Sequence, residues 1–236
     1  MTAATLEVRG LSAGYGQTRI LEDVSFAVPA GGRMAVLGRN GMGKTTLFAT
    51  LAGQTRRYDG AVRMGDAELT PLDGSARALC GLGYVPQSRD IFKSLTVEEN
   101  LFVGLKNRPR SAIEEAYVMF PRLKERRRNL GSQLSGGEQQ MLTTARTILG
   151  QPTLLLLDEP LEGLAPVICE ELMAAFAQLA ASKTMTILLV EQRIKAALDF
   201  AETVLIMERG RIAWSGTPAE LESQPEIVDR LLGVGH

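Results

Sequence analysis

Residues 34–51 read MAVLGRNGMGKTTLFATL, which places a strand-like run, a glycine-rich turn and a helix-like run in direct succession. The first four residues are apolar, as in a strand buried within a parallel sheet. Residues 38–45 fit the pattern GxxxxGK(S/T), in which glycines allow backbone N–H groups to approach phosphate closely. The N-terminus of the following helix adds a favourable dipole for an anion. The stretch therefore predicts a phosphate-binding loop.

Two residues of this loop are expected to touch the reacting groups. Lys44 would reach the β- and γ-phosphates from a solvated position, and the Thr45 hydroxyl would hold Mg²⁺. An ordinary glycine-rich turn is the alternative, but it leaves a lysine at the positive end of a helix unexplained. The other residues predicted to contact the nucleotide are Gly38, Arg39, Asn40, Gly41, Met42, Gly43 and Thr46.

Residues 153–160 read TLLLLDEP, an apolar strand that ends in two carboxylates. Ligands of open α/β sheets bind at the carboxyl ends of strands, so these acids are expected beside the phosphate loop. Asp158 suits a Mg²⁺ ligand, and Glu159 could orient and deprotonate an attacking water. A polar strand end is common by itself, and the phosphate loop upstream favours the catalytic interpretation.

The remaining apolar runs predict two kinds of β-structure. Residues 186–190 and 204–207 are short and continuous, as buried parallel strands are. Residues 166–181 carry most of their apolar side chains near one helical face, which completes a βαβ unit. Residues 6–28 instead alternate apolar and polar residues, a pattern typical of antiparallel strands.

Local signals predict where several elements begin. Thr96 with Glu99 and Ser135 with Glu138 fit capping boxes in a helical block at residues 96–150. A hairpin is expected where two apolar runs flank Arg209 and Gly210. Pro218 is expected to open a short helix. Residues 126–128, all arginine, are expected on a solvated helix face.

Composition and charge exclude several classes of protein. The 236 residues include 26 Lys and Arg against 27 Asp and Glu, a net charge of −1 that provides no basic field for nucleic acid. The aliphatic runs fall far short of the roughly 20 residues of a membrane span, and the start of the chain shows no secretory signal. Cys80 and Cys169 form no metal-binding pattern and are expected to be buried.

Residues 134–140 read LSGGEQQ. A capped helix explains part of this segment, but each of two glycines in a first helical turn costs about 1 kcal/mol relative to alanine. Their use makes sense if bare backbone amides must approach an anion. With this segment the chain resembles the ATP-binding cassette (ABC) ATPases, whose signature is LSGGQ or LSGGE, over residues 5–233. The phosphate loop, signature and acidic strand occur in the family's order.

The resemblance implies an α/β fold of the P-loop NTPase class. A RecA-like core with a parallel sheet would carry an N-terminal antiparallel β subdomain and an inserted α-helical subdomain, all within one nucleotide-binding domain, residues 1–236. The expected ranges are 1–33 and 58–70 for the β subdomain, 34–87 and 151–236 for the core, and 88–150 for the helical subdomain.

The resemblance also assigns roles outside the loop. Ser135, Gly136 and Gly137 would contact ATP held by the phosphate loop of a second subunit, so that two chains sandwich two nucleotides head to tail. Gln87 corresponds to a glutamine that touches Mg²⁺ and water, with an ordinary loop amide as the alternative. Tyr15 corresponds to an aromatic residue that stacks on adenine, with a core position as the alternative.

Two positions depart from the family pattern. Gln192 stands where a histidine usually contacts the γ-phosphate, and the only histidine in the sequence is His236. An amide can donate a hydrogen bond to phosphate but carries no positive charge. Ala165 stands where an aspartate is common, so communication across the dimer is expected to differ.

These departures, with EGLAP at 162–166 and VPQSRDIF at 85–92, are similar to the ATPase subunits of importers for branched-chain amino acids, amides or urea. This branch implies a peripheral ATPase on the cytoplasmic face of the inner membrane. Its partners would be a second ATPase chain and integral membrane permease subunits, with an extracytoplasmic solute-binding protein reached indirectly. The second ATPase is expected to be a different chain, with a homodimer of the isolated protein as the alternative. Lipid export is the alternative transport process, and action on nucleic acid or ribosomes is disfavoured by length and charge.

Overall fold

The computed structural model describes residues 2–233, and His236 lies outside them. The strands within this range are β1 Leu6–Tyr15, β2 Thr18–Val28, β3 Arg33–Leu37, β4 Arg56–Met64, β5 Ala67–Glu68, β6 Leu82–Val85, β7 Leu154–Asp158, β8 Thr186–Val190, β9 Thr203–Glu208 and β10 Arg211–Gly216. The helices are α1 Lys44–Leu51, α2 Gly74–Leu79, α3 Val97–Gly104, α4 Glu114–Met119, α5 Pro121–Glu125, α6 Gly136–Leu149, α7 Pro166–Ala181, α8 Ile194–Phe200, α9 Pro218–Glu222 and α10 Pro225–Leu232.

Two sheets organise the chain. The larger sheet has the order β10-β9-β3-β8-β7-β6, and all of its strands are parallel except β10, which forms a hairpin with β9. The smaller sheet has the order β2-β1-β4-β5 and is antiparallel throughout. The predicted α/β class, parallel core sheet, N-terminal antiparallel layer and C-terminal hairpin are therefore confirmed.

The central strands divide their side chains between two cores. In β7, Leu155 and Leu157 pack with α3, α6 and α7, whereas Leu154 and Leu156 pack with α1 and the antiparallel sheet. Side chains of a strand alternate between faces, so a sheet covered on both faces must be apolar at every position. This double burial explains the unbroken leucine run.

Most of the predicted element starts are confirmed. The helix predicted at 166–181 is α7. Thr96 and Ser135 both cap their helices in complete capping boxes, and Pro218 lies in the first turn of α9. These signals are local, which is why the sequence alone locates them well.

Two local predictions are wrong. Cys80 is exposed, because it follows the short helix α2 at a turn on the surface, whereas Cys169 is buried as expected. Residues 126–128 form an exposed turn after α5 and not a helix face, and Arg126 pairs with Glu138 at 3.3 Å.

In the described part of the chain, every helix is too short or too polar to cross a bilayer.

Candidate functional site

The glycine-rich loop connects β3 to α1 in a conformation that its glycines permit. Gly38 has a φ of 144°, and a Cβ there would lie 2.5 Å from the carbonyl oxygen of Met207 on the neighbouring strand. Gly43 is the N-cap of α1 with a φ of 101° and provides no side-chain cap. Among the described residues, no protein group accepts the backbone N–H of Lys44, Thr45 or Thr46. The first turn of α1 therefore offers unsatisfied donors, as an anion site requires.

Lys44 is buried, contrary to the prediction of a solvated lysine. Its side chain is 4% exposed, and Nζ donates to the carbonyl oxygens of Gly38 at 2.7 Å and Arg39 at 3.1 Å. Burial lowers the pKa of Lys44, although the nearby Glu159 and Asp158 carboxylates oppose this shift. The ammonium is thus held inside the loop by two carbonyls that a phosphate could replace.

Asp158 ends β7 beside this loop and is fully buried. Its Oδ1 accepts from the Thr45 hydroxyl at 3.3 Å, and its Oδ2 accepts from the Tyr84 hydroxyl at 3.1 Å. Burial raises the pKa of Asp158 to about 6, against the opposing effect of these two hydrogen bonds. A buried carboxylate next to a threonine hydroxyl presents two hard oxygen ligands of the kind that Mg²⁺ prefers.

Glu159 lies next to Asp158 and is held by two amide side chains. Its Oε2 accepts from Gln192 Nε2 at 2.6 Å and from Gln87 Nε2 at 3.3 Å, while Oε1 lies 3.8 Å from Lys44 Nζ. The backbone of Glu159 has a φ of 48°, an uncommon value for a non-glycine residue. The fold therefore fixes the orientation of this carboxylate from several sides.

Apart from the buried Asp158, the charged and amide groups just described line one open cleft of about 420 Å³. The predicted site residues that line it are Tyr15, Asn40, Gly41, Gly43, Lys44, Thr45, Thr46, Gln87, Glu159 and Gln192. Tyr15 is 51% exposed at the end of β1, which rules out the alternative of a core position. Gln87 also donates to Glu162, so it belongs to the hydrogen-bond network of the cleft and is more than an isolated loop amide.

Ser135, Gly136 and Gly137 do not line this cleft. The Ser135 hydroxyl accepts from the Glu138 N–H, and the Glu138 carboxylate accepts from the Ser135 N–H. The two side chains of this capping box are thus bonded within their own segment. A Cβ on Gly137 would lie 2.9 Å from Ile168 Cγ2, and a Cβ on Gly136 would lie 2.7 Å from Arg89 Nη1. Close packing against α7 is therefore a second reason for Gly137, whereas the flexible Arg89 side chain could move away from a larger residue at position 136.

Three polar side chains at the site were missed by the sequence analysis: Tyr84, Glu162 and Glu191. Tyr84 lies on β6, which pairs with β7, so a polar residue near the end of this strand was a usable signal. Glu191 follows β8 at the same edge of the sheet as Asp158 and was available by the same rule. Glu162 gave no such signal because its loop conformation depends on tertiary contacts.

Comparison with known proteins agrees with this geometry. The sequence profile of a family described as "ABC transporter" matches residues 21–162. The chain is 39% identical to the high-affinity branched-chain amino acid transport ATP-binding protein BraG of Pseudomonas aeruginosa, over 93% of this chain and 95% of that protein. It is 33% identical to the lipopolysaccharide export system ATP-binding protein LptB of Escherichia coli, over 97% and 96%. A solved structure of an ATP binding subunit of an ABC transporter superposes with a TM-score of 0.83, at 27% identity, over 97% of this chain and 96% of that one.

Proposed function

The chain belongs to the ABC transporter family, whose ATP-binding subunits bind and hydrolyse nucleotide, and from this premise we propose that its cleft hydrolyses MgATP to drive a membrane permease. The observation that carries the proposal is the position of Lys44, Thr45 and Glu159 in one cleft beside an uncapped helix N-terminus, with the buried Asp158 hydrogen-bonded to Thr45. Cation, hydroxyl and carboxylates are the groups that phosphoryl transfer to water requires.

The residues present fit both expected ligands. The free N–H groups of α1 and the Lys44 ammonium suit the phosphates, with the rest of the loop, residues 38–46, wrapped around them. Asp158 and Thr45 would hold Mg²⁺, and Gln87, which lines the same cleft as Thr45, is the third proposed ligand. Burial of Asp158 without a counter-ion disfavours its charged form, and a divalent cation would remove that penalty. When bound, MgATP supplies the γ-phosphoryl group and the charge that polarises it.

Glu159 is the proposed general base. Gln192 and Gln87 hold its carboxylate, so that one oxygen can accept the proton of an attacking water. The Gln192 amide carries two N–H donors, and Glu159 uses one of them, which leaves the second for the γ-phosphate. Tyr15, exposed at the rim, is proposed to stack on adenine.

A second ATPase subunit completes each site. Ser135, Gly136 and Gly137 lie outside the cleft of their own chain, and their helix end is exposed except for the packed Gly137. We propose that they meet the γ-phosphate bound by a second subunit, with residues 88–150 as the subdomain that carries them. Two chains would then enclose two nucleotides head to tail, and the second chain is proposed to differ in sequence.

A groove between the parallel sheet and the helical segment is the proposed permease contact. Phe92 and Val103 line it with 47% and 54% of their surfaces exposed, and Leu79, beside it, is 80% exposed. Apolar side chains exposed together mark sites where another protein binds. With this contact we also propose a peripheral position at the cytoplasmic face of the membrane.

Import of branched-chain amino acids is the proposed transport process, because BraG shares 39% identity over nearly the whole chain. Lipid export is the second candidate, since LptB shares 33%. Cells that lack this chain should lose uptake of labelled leucine, and wild type but not Glu159→Gln should restore it. Normal leucine uptake together with defective lipopolysaccharide export would favour the second candidate.

Capture from solubilised membranes tests the permease contact. Val103→Asp should reduce the recovery of integral membrane proteins with the chain, because it places a charge in the apolar groove. Val118→Asp is the matched control, since Val118 is 78% exposed on α4 and lies outside the groove. Equal recovery with both variants would contradict the proposed docking surface.

A further inference from the structure

Glu191 is a buried carboxylate to which the proposed reaction assigns no step. It follows β8 and is 3% exposed. Its Oε2 accepts from the backbone N–H groups of Gln192 and Arg193, each at 2.8 Å, and its Oε1 accepts from the backbone N–H of Leu161 at 3.3 Å. One oxygen thus holds its own loop, and the other reaches the loop that follows β7.

The ionised form of Glu191 fits these contacts. All three partners are N–H donors, and an ionised carboxylate only accepts hydrogen bonds. Burial raises the pKa of Glu191, whereas hydrogen bonds from the three N–H groups lower it. The fold therefore holds this carboxylate where burial disfavours its charge. An apolar side chain would avoid that penalty but would leave three N–H groups without an acceptor.

The two bridged loops carry Glu159 and Gln192. Strands β7 and β8 are paired up to Asp158 and Val190, and the Glu159 N–H donates to the Val190 carbonyl at 2.9 Å. Beyond that point the loops are joined by the Gln192–Glu159 hydrogen bond on one side and by the Glu191–Leu161 bond on the other. Glu191 therefore extends the contact between the strands past the end of the sheet.

We propose that Glu191 is a positioning residue that locks these two loops together, so that Gln192 meets the Glu159 carboxylate in a fixed geometry. The role rests on the proposed ATP hydrolysis at this cleft. Glu191 is not among the residues that line the cleft, and it acts through the two residues it aligns. Residues that fix reactive groups to within a fraction of an ångström have large effects on rate without contacting substrate.

Glu191→Asp separates the two halves of this contact. Aspartate side chains readily bond the backbone one or two residues further on, so the bonds to Gln192 and Arg193 should persist. The side chain is shorter by one methylene, and the already long bond to Leu161 should be lost. Glu191→Gln keeps the length of the side chain but replaces one carboxylate oxygen by an N–H₂ group, which cannot accept from a backbone N–H. Both variants should therefore weaken the bridge.

Hydrogen exchange of the nucleotide-free full-length chain gives the direct readout. In Glu191→Asp the Leu161 amide should exchange about tenfold faster, which is the protection that one modest hydrogen bond provides. The matched control is Glu170→Asp, the same change at an exposed residue on α7, which should leave exchange at Leu161 unchanged. Wild-type exchange at Leu161 in both Glu191 variants would overturn the bridge.

Kinetics then test whether the bridge positions the reacting groups. Glu191→Asp should lower kcat for ATP about tenfold and leave KM and ATP affinity in chelator within about twofold, with the melting temperature measured in parallel. Faster exchange at Leu161 with unchanged kcat would overturn the positioning role. If the wild-type chain neither binds nor hydrolyses ATP, the proposed function fails, and the exchange comparison still decides whether the bridge exists.

Discussion

Helices α1 and α6 both begin at glycine-rich turns, and their N-termini are satisfied in opposite ways. The N-cap of α1 is Gly43, which offers no side chain, so the first N–H groups of that helix have no acceptor among the described residues. The N-cap of α6 is Ser135, whose hydroxyl and partner Glu138 satisfy two N–H groups within the chain. Similar sequence patterns thus produce an open anion site in one place and a largely self-satisfied helix end in the other.

This contrast between the two helix ends is what a site divided between two molecules requires. The α1 end lies in a cleft with the buried Lys44 and Glu159, whereas the α6 end lies outside that cleft. In α6 the capping box uses the N–H groups of Ser135 and Glu138, which leaves those of Gly136 and Gly137 for another ligand. We therefore expect the α1 end to determine affinity for nucleotide, and the α6 end to contribute when a second chain approaches.

Replacing the proposed general base should change the rate most, although it leaves both helix ends intact. Glu159→Gln should lower turnover by about 10² to 10⁴-fold, because the amide cannot accept the proton of water. ATP binding should persist, since size and hydrogen bonding are nearly preserved. Steady-state phosphate release and nucleotide titration measure the two halves. Turnover at the wild-type rate would remove Glu159 from the reaction.

The second prediction concerns a substitution at the N-terminus of α1 alone. Lys44→Ala should weaken ATP binding by about 10²-fold or more, because it removes the only ammonium among the residues that line the cleft. The carbonyls of Gly38 and Arg39 that Lys44 contacts should become hydrated, so circular dichroism should remain native. A folded variant with unchanged affinity would show that the loop does not hold phosphate.

The third prediction concerns Gln192, which is proposed to lie between the Glu159 carboxylate and the γ-phosphate. Gln192→Ala should lower single-turnover hydrolysis by about 10²-fold, because a positioned donor is lost. Gln192→His should restore much of the rate, since an imidazole N–H can replace the amide donor. In a mixed dimer the partner's phosphate-loop lysine must be disabled to isolate this site. Unchanged hydrolysis in Gln192→Ala would assign the residue no part in the reaction.

The fourth prediction concerns the charge of Asp158 in the absence of nucleotide and metal. Its folded pKa of about 6 exceeds the ordinary value of 3.8, so the unfolded chain releases this proton first as pH rises. The residue therefore destabilises the fold above pH 6, by about 3 kcal/mol, and the cost disappears below the ordinary value. In chelator, Asp158→Asn should be more stable than wild type at pH 7.5, and most of this advantage should be lost by pH 4. Chemical denaturation at both pH values measures this, and a pH-independent difference would contradict it.

The smallest effects are expected from a change at the N-terminus of α6. Ser135→Ala and Thr96→Ala both remove the N-cap of a capping box, so each should cost about 1 kcal/mol of stability. Only Ser135→Ala should also lower ATP hydrolysis, by about tenfold, because only α6 is expected to meet nucleotide across the dimer. Equal hydrolysis by the two variants would leave α6 as an ordinary capped helix.

The sequence was sufficient where the physical cause is local. The leucine run of β7, the capping box at Ser135 and the glycine loop each depend on residues within a few positions, and each forms as predicted. The burial of Lys44, the Tyr84–Asp158 hydrogen bond and the Glu191–Leu161 bridge depend instead on residues far apart in the chain. No pattern in one sequence measures how closely such residues approach, and the exposed Cys80 shows the same limit at the surface.

The alternation of β7 and β8 between two cores restricts how this protein can evolve. Loss or gain of one residue inside β8 would send Ile187 and Leu189 to the face now occupied by Leu188 and Val190. It would also displace Gln192 by about 3.3 Å along the strand, away from Glu159. Insertions and deletions in lineages of this chain should therefore fall outside both strands.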